Sequence, residues 1–191
     1  MTRQEQKEMR REQIRMKALE LFVTKGFSET KISDIAGELK ISVGLLFHYY
    51  ESKEQLLMEL VQFGVEGTKA AEQVPKDDPA GYFRMFLTGL FQSAKENPWI
   101  CQMFVLMSQA RSPGAPEAIR KVALSVDQIE KSVPVIQKGQ ELGQFRDGDP
   151  LVLSNAFWCS VQGIMEQHLI SPDIPLPDPA WVVDLLRKHE N

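Results

Sequence analysis

The segment Phe27–Leu57, FSETKISDIAGELKISVGLLFHYYESKEQLL, restricts this chain to few folds. Ile32, Ile35, Ala36 and Leu39 fall at i, i+3, i+4 and i+7, the single apolar stripe of a short amphipathic helix. Ser42 stands where a following helix needs an N-cap, because its hydroxyl can accept from an otherwise orphaned backbone N–H. A second short helix is therefore predicted from Val43 to Tyr49 or Tyr50. Ser52 and Gln55 then form an S-x-x-Q capping box, which opens a further helix with Lys53 in its first position and an apolar run from Leu56 behind it. Upstream, Ile14, Ala18, Leu21 and Phe22 repeat at helical spacing from about Arg10, and Gly26 stands at the left-handed residue that ends such a helix. Three helices followed by the start of a fourth, with the second and third joined by a tight turn, make a helix-turn-helix unit. In such units the later helix of the pair enters the major groove of DNA, and the earlier one crosses the phosphate backbone.

Over these residues the chain resembles the TetR family of bacterial transcriptional regulators. The likeness joins the xxIAxxxxIS helix and turn to the GLLFHYY helix and the SKEQLL restart, and at motif level it covers residues 10 to 60. Beyond that stretch only architecture carries over. The resemblance implies an all-α fold, with a three-helix DNA-binding domain over residues 1–52 and a larger helical effector-binding and dimerisation domain over 53–191. It makes Val43, Gly44 and Phe47 the base-facing residues, Gly44 letting the backbone approach the groove. His48, Tyr49 and Lys53 become the phosphate contacts, Lys53 together with the open N–H groups of its helix start. Leu46 and Tyr50 are expected to pack inside the reader. The family pattern usually has tyrosine where this chain has Phe47, so a hydroxyl that would reach DNA is missing.

Charge fits that reading only when its distribution is considered. The net charge of -4 reads against nucleic acid, whose affinity for protein rests on cations at phosphates. Residues 1–53, however, hold ten Lys or Arg against eight Asp or Glu, a net of +2, and residues 54–191 hold twelve against eighteen, a net of -6. Arg3, Lys7, Arg10, Arg11, Arg15 and Lys17 read either as an arm that tracks DNA or as a solvated helix end diluted by Glu5, Glu8 and Glu12. A hydrophobic content of 43% in 191 residues is ample for a core. No apolar run approaches the roughly 18 residues of a membrane span, and the charged N-terminus has no signal-peptide core, so the expected location is the cytoplasm, away from membranes. Cys101 and Cys159 lack zinc-like spacing and are expected to be buried apolar side chains.

Asp78-Pro79, Asn97-Pro98, Asp149-Pro150 and Asp178-Pro179 each offer an N-cap acceptor followed by proline in the first helical position. Helices are predicted over 53–72, 79–95, 98–110, 116–142, 150–169 and 179–188, with Pro134 kinking or splitting the long one. No segment alternates as a strand would. Val74 to Asp78 and Ser171 to Asp178 read as loops. The helix from 53 to 72 leads out of the reader and is the candidate lever between domains.

Phe86, Trp99, Met103, Phe104 and Met107 belong to a pair of segments rich in aromatic and Met side chains. Such a surface is either plain core or the lining of an apolar pocket. Because the resemblance implies an effector cavity in the second domain, these five are the candidate effector residues, for a small apolar or aromatic molecule. Phe157, Val161 and Ile164 give the helix from 150 an apolar face, with Gly163 allowing close approach, and Trp181 and Leu185 do the same near the C-terminus. The resemblance implies that these helices pair with their copies across a two-fold axis, so the six are the candidate homodimer interface.

The expected function is thus a dimeric, ligand-responsive regulator that binds a double-stranded operator, represses, and is released by its effector. An enzyme with an all-helical pocket finds little support, since no phosphate loop, metal cluster or nucleophile motif appears and His48, His168 and His189 stand apart. Neither a cofactor nor a metal is expected. A DNA-bound structural or protein-interaction module without an effector is the remaining alternative.

Overall fold

The computed structural model describes residues 2–70 and 78–188, with the side chains of 69 and 70 left aside. Ten α-helices are described: α1 Arg3–Thr24, α2 Ile32–Glu38, α3 Val43–Phe47, α4 Lys53–Ala70, α5 Pro79–Glu96, α6 Trp99–Arg111, α7 Glu117–Ala123, α8 Gln128–Glu141, α9 Pro150–Ile170 and α10 Pro179–Val183. Among the described residues the only β pairing is an isolated antiparallel bridge between Phe145 and Arg187. Among the described residues no helix is long and apolar enough to cross a membrane. The all-α reading therefore holds.

The chain divides into two compact units, one formed by residues 1–66 with 105–124, the other by 67–104 with 125–191. The division falls inside α4 and α6 rather than between residues 52 and 53. In the first unit, Ile14, Ala18, Leu19 and Phe22 of α1, Ile35 and Ala36 of α2, and Leu46 of α3 are buried. Leu56, Leu57, Leu60, Val61 and Val65 of α4 are buried too, so this helix contributes its apolar face to the first unit as far as residue 65.

The second unit has its own core. Tyr82, Phe83, Leu87 and Phe91 of α5 meet Val135 and Ile136 of α8, Phe157, Val161 and Met165 of α9, and Val182 and Val183 of α10. Phe83 sits at its centre, with its ring centroid 4.6 Å from that of Phe157 and 6.1 Å from that of Phe145. Each such aromatic contributes about 1.5–3 kcal/mol of burial free energy.

Several boundaries differ from the sequence expectation, each for an identifiable reason. α1 begins at Arg3 because Thr2 and Glu5 form a reciprocal capping box: Thr2 Oγ1 accepts from the Glu5 N–H at 3.2 Å, and Glu5 accepts from the Thr2 N–H at 2.8 Å. The predicted helix 116–142 is two helices, yet the break is not at Pro134, which lies within α8. Asp127 sets the break, its carboxylate accepting from the N–H groups of Ile129 and Glu130. The expected helix 179–188 ends at Val183, after which the chain turns and hydrogen-bonds to residues 144–146: the Arg146 N–H donates to Leu186 O at 2.8 Å and the Lys188 N–H to Gln144 O at 3.2 Å. Asp78, Asp149 and Asp178 cap α5, α9 and α10 as their Asp-Pro pairs predict. Cys101 is buried, but Cys159 is exposed. The end of the predicted helix 53–72 and most of the predicted loop from Val74 lie outside the described residues.

Candidate nucleic-acid interface

The helix-turn-helix is built by local chemistry. Gly26 takes φ +91°, as expected of the residue after α1. Thr30, 1% exposed, closes the turn that follows, its hydroxyl donating to Gly26 O at 2.7 Å and Leu21 O at 3.2 Å. Asp34 accepts from the Lys31 N–H and pairs with Lys25; these two bonds, Lys25 first, hold its carboxyl below the usual range. Between α2 and α3 the chain turns through Lys40, at φ +54°. Ser42 caps α3, accepting from the Leu45 N–H at 3.1 Å.

This arrangement sorts α3 into two faces. Leu46, and Tyr50 just beyond the helix, are wholly buried. Val43, Leu45 and Phe47 stand 40%, 39% and 48% exposed. A Cβ placed on Gly44 would meet nothing within 4 Å, so the backbone there is open to close approach. His48 is exposed and stands edge-on to the half-buried Tyr49, with centroids 5.8 Å apart. Leu45 is not among the base-facing residues that the resemblance implies, yet it stands as exposed as Val43.

Lys53 occupies a different place from the one expected. Its ammonium donates to Phe27 O at 2.7 Å, Thr30 O at 3.0 Å and Ser28 O at 3.4 Å, and it lies 4.2 Å from the centroid of the Phe27 ring. An ammonium has three donors, and these carbonyls use all of them. A cation in the first turn of a helix is locally unfavourable by about 0.3–1 kcal/mol, so the tertiary contacts are what hold it there. Lys53 thus fastens the start of α4 to the turn after α1. Ser52 caps α4 as the S-x-x-Q box predicts, accepting from the Gln55 N–H at 3.0 Å, but Gln55 reaches one residue further back and accepts from Glu51 N–H at 2.6 Å. Lys53→Ala is expected to destabilise the protein by about 1–2 kcal/mol, from the loss of charge-assisted hydrogen bonds, while leaving the salt dependence of DNA binding unchanged. A log-log salt slope shallower by about one unit would instead return this side chain to a phosphate.

A carboxylate hub ties α1, the residues after α3, and α4 together. Glu59 on α4 accepts from Arg11 through both oxygens, from Arg15 at 3.3 Å and from the Tyr50 hydroxyl at 3.0 Å. Arg11 also lies over the Tyr50 ring at 5.3 Å, and Arg15 over Phe63 at 5.1 Å. Partial burial opposes ionisation of Glu59, but the hydrogen bonds from Arg11 and Tyr50 outweigh it and the carboxyl is held below its ordinary value. The Tyr50 hydroxyl, desolvated and facing Glu59, is pushed up to about 12. Of the cations read as a possible arm, Arg11 and Arg15 are therefore spent inside the unit, and Lys17 pairs with Glu20 and Glu38. Arg3 and Lys7 are exposed and Arg10 is half-buried.

In the second unit, Phe86 packs edge-on against Trp158 at 5.3 Å, and the Trp158 indole donates to Ser132 Oγ at 2.8 Å. Met103 is buried, and Trp99, Phe104 and Met107 are half-buried; Met107 belongs to the first compact unit. An open groove of about 710 Å³ runs along α5, lined by Asp78, Gly81, Tyr82, Arg84, Met85, Thr88 and Gly89, none of them among the five expected effector residues. Phe157 and Val161, expected at a dimer interface, are wholly buried in the core of their own chain. They share the α9 face that packs on α5 and α8, and the opposite face is the one left open. Gly163 and Trp181 are exposed, the latter at 70%, as is Leu185; Ile164 is half-buried. Among the described residues no three His, Cys, Asp or Glu side chains gather as a metal site.

The family model of bacterial regulatory proteins of the tetR family matches residues 14–60, the stretch that carries α2, α3 and the capped start of α4. Residues 14–60 thus carry the tetR-family pattern. The chain is similar to YuxN of Bacillus subtilis, described as an uncharacterized HTH-type transcriptional regulator, with 34% identity over 83 residues that make up 42% of this chain and 28% of that one. The chain thus matches little more than a quarter of the length of this relative. It is also similar to the HTH-type transcriptional repressor KstR2 of Mycolicibacterium smegmatis, at 26% identity over 72% of this chain and 68% of that protein. The fold continues past the motif. A solved SmeT–triclosan complex superposes with a TM-score of 0.67 at 17% identity, covering 92% of this chain and 88% of that one.

Proposed function

We propose that this protein is a homodimeric transcriptional repressor of the TetR family that reads a palindromic operator with α3 and is released from it by a small apolar or aromatic effector bound in its second unit. The observation that carries the DNA reading is the division of α3, whose inner side chains are locked into the first unit while Val43, Gly44, Leu45 and Phe47 stand free on a capped helix. Phe47, Val43 and Gly44 are the base-facing residues of this reading, and His48 and Tyr49 lie at the backbone. The naming of KstR2 as a repressor supports the direction of regulation.

The dimer reading rests on the outward face of α9 and the C-terminal segment. Val152 and Ile170 are 63% and 75% exposed on α9, with Gly163 between them, and Trp181 and Leu185 add apolar surface. Apolar surface of this kind on one face of a chain favours a partner. The effector reading draws on the half-buried Phe86, Trp99 and Phe104, on Met103, and on the triclosan held by SmeT.

Sedimentation at micromolar concentration should give about twice the 21.7 kDa chain mass, and Gly163→Leu should weaken the association by about 1–3 kcal/mol through overpacking. Fluorescence anisotropy on duplexes selected from a random pool should show saturable, sequence-dependent binding. An effector that weakens this binding must itself be weakened by operator by the same factor, commonly 5- to 150-fold, because coupling is reciprocal. A monomer that binds all duplexes alike would overturn the proposal.

A further inference from the structure

α3 offers DNA almost no hydrogen-bonding side chain. From Ser42 to Tyr49 the chain reads SVGLLFHY, without Arg, Lys, Asn, Gln, Asp or Glu. Ser42 Oγ is engaged with the Leu45 N–H. What the helix presents is three large apolar side chains, Val43, Leu45 and Phe47, each about two-fifths to one-half exposed on a helix whose remaining large side chain, Leu46, is wholly buried. Three exposed hydrophobic residues of this size within five consecutive positions call for an occupant.

The major groove carries one apolar signal. Each base pair there presents donors and acceptors, and only thymine adds a methyl group. An aliphatic or phenyl side chain set against guanine O6 and N7 or the cytosine amino group strips water from them and returns no hydrogen bond, which is penalised. Set against a thymine methyl, the same side chain gains burial and loses nothing. Resting on the reading of α3 as the DNA-facing helix, we infer that Val43, Leu45 and Phe47 form a thymine-methyl reader, and that Leu45 is a specificity-determining residue beside Val43 and Phe47. The operator half-site then contains thymines opposite α3, and the protein recognises their C5-methyl groups rather than a pattern of base-edge hydrogen bonds. Gly44, with open space around its Cα, lets the backbone come close enough for the short Val43 and Leu45 side chains to reach the bases.

The test uses the full-length protein and duplexes selected from a random pool. Each thymine of a selected site is replaced in turn by deoxyuridine, which keeps every hydrogen-bonding group and removes only the methyl. At one or more positions per half-site the replacement should weaken binding about fourfold, the equivalent of burying one methylene-sized group. Leu45→Ala or Phe47→Ala should abolish the thymine-to-uracil difference at its own position, and because both side chains are exposed the melting temperature should hold. Tight, selective binding that no deoxyuridine replacement alters would overturn the methyl reading while leaving α3 as the DNA-facing helix. A Leu45→Ala protein that loses affinity for thymine and uracil duplexes equally would remove Leu45 from it. Absence of any saturable, sequence-dependent binding would overturn both.

Discussion

Gly139→Ala should lower the stability of the second unit by about 3 kcal/mol or more, the upper end of the range for overpacked cores. A Cβ at this position would lie 2.1 Å from Cδ2 and 2.5 Å from Cε2 of Phe145, well inside van der Waals contact. The ring cannot swing aside cheaply. Phe145 is 1% exposed and packs against Phe83, and its own backbone N–H donates to Gly139 O at 3.1 Å. The next residue is anchored in turn, since Arg146 donates to Leu186 O. For a chain of this length the loss corresponds to a fall in melting temperature of roughly 6–12 °C. Adding Phe145→Leu should recover part of it by vacating the volume the methyl needs. A Gly139→Ala protein that melts within a degree of the wild type would contradict this close approach.

Glu59→Gln should destabilise the first unit by about 2 kcal/mol, less than the 3–5 kcal/mol of a fully buried ion pair because the Glu59 side chain is 20% exposed and that of Arg11 39%. The substitution leaves two guanidinium groups and the Tyr50 hydroxyl converging on a neutral amide. The pH dependence identifies the cause. Because the folded-state carboxyl sits below its ordinary value near 4.5, its contribution is fully present above that value and is lost as pH falls through the depressed one. The stability gap between wild type and Glu59→Gln should therefore be constant from pH 7 to about 5 and close in more acidic solution. A gap that persists unchanged into strong acid would mean that packing, not charge, accounts for it. Because Tyr50 directly follows the α3 turn, operator affinity should drop by more than the unfolded fraction explains.

The legibility of the chain follows the range of the forces involved. Capping is local, so Ser42, Ser52, Asp78, Asp149 and Asp178 mark helix starts that the structure reproduces, and Gly26 takes the left-handed conformation its position predicts. The start of α1 was legible in the same way, from Thr2 and Glu5, but apolar periodicity misses it because the first turns of that helix bury nothing. Pro134 does not end α8 for a complementary reason: a proline weakens a helix locally, but α8 packs Val135 and Ile136 into the core on its far side, and packing outweighs the lost hydrogen bond.

The candidate site divides along the same line. That α3 follows a capped turn, and that Leu46 and Tyr50 lie within, was written in the order of residue types, because the local pattern and its resemblance pointed to the same answer. Which way Lys53, Arg11 and Phe157 point was not. An ammonium, a guanidinium and a phenyl ring go to whatever partner the folded chain brings within a few ångströms, and those partners come from distant stretches: Lys53 finds the carbonyls of residues 27–30, Arg11 finds Glu59, and Phe157 finds Phe83. The sequence by itself therefore determined most helix starts, their caps and the helix-turn-helix motif, all set by neighbours three or four residues apart. Only the tertiary structure decided which cations remain free for DNA and which apolar face of α9 stays open, because both depend on contacts between residues that no local spacing relates.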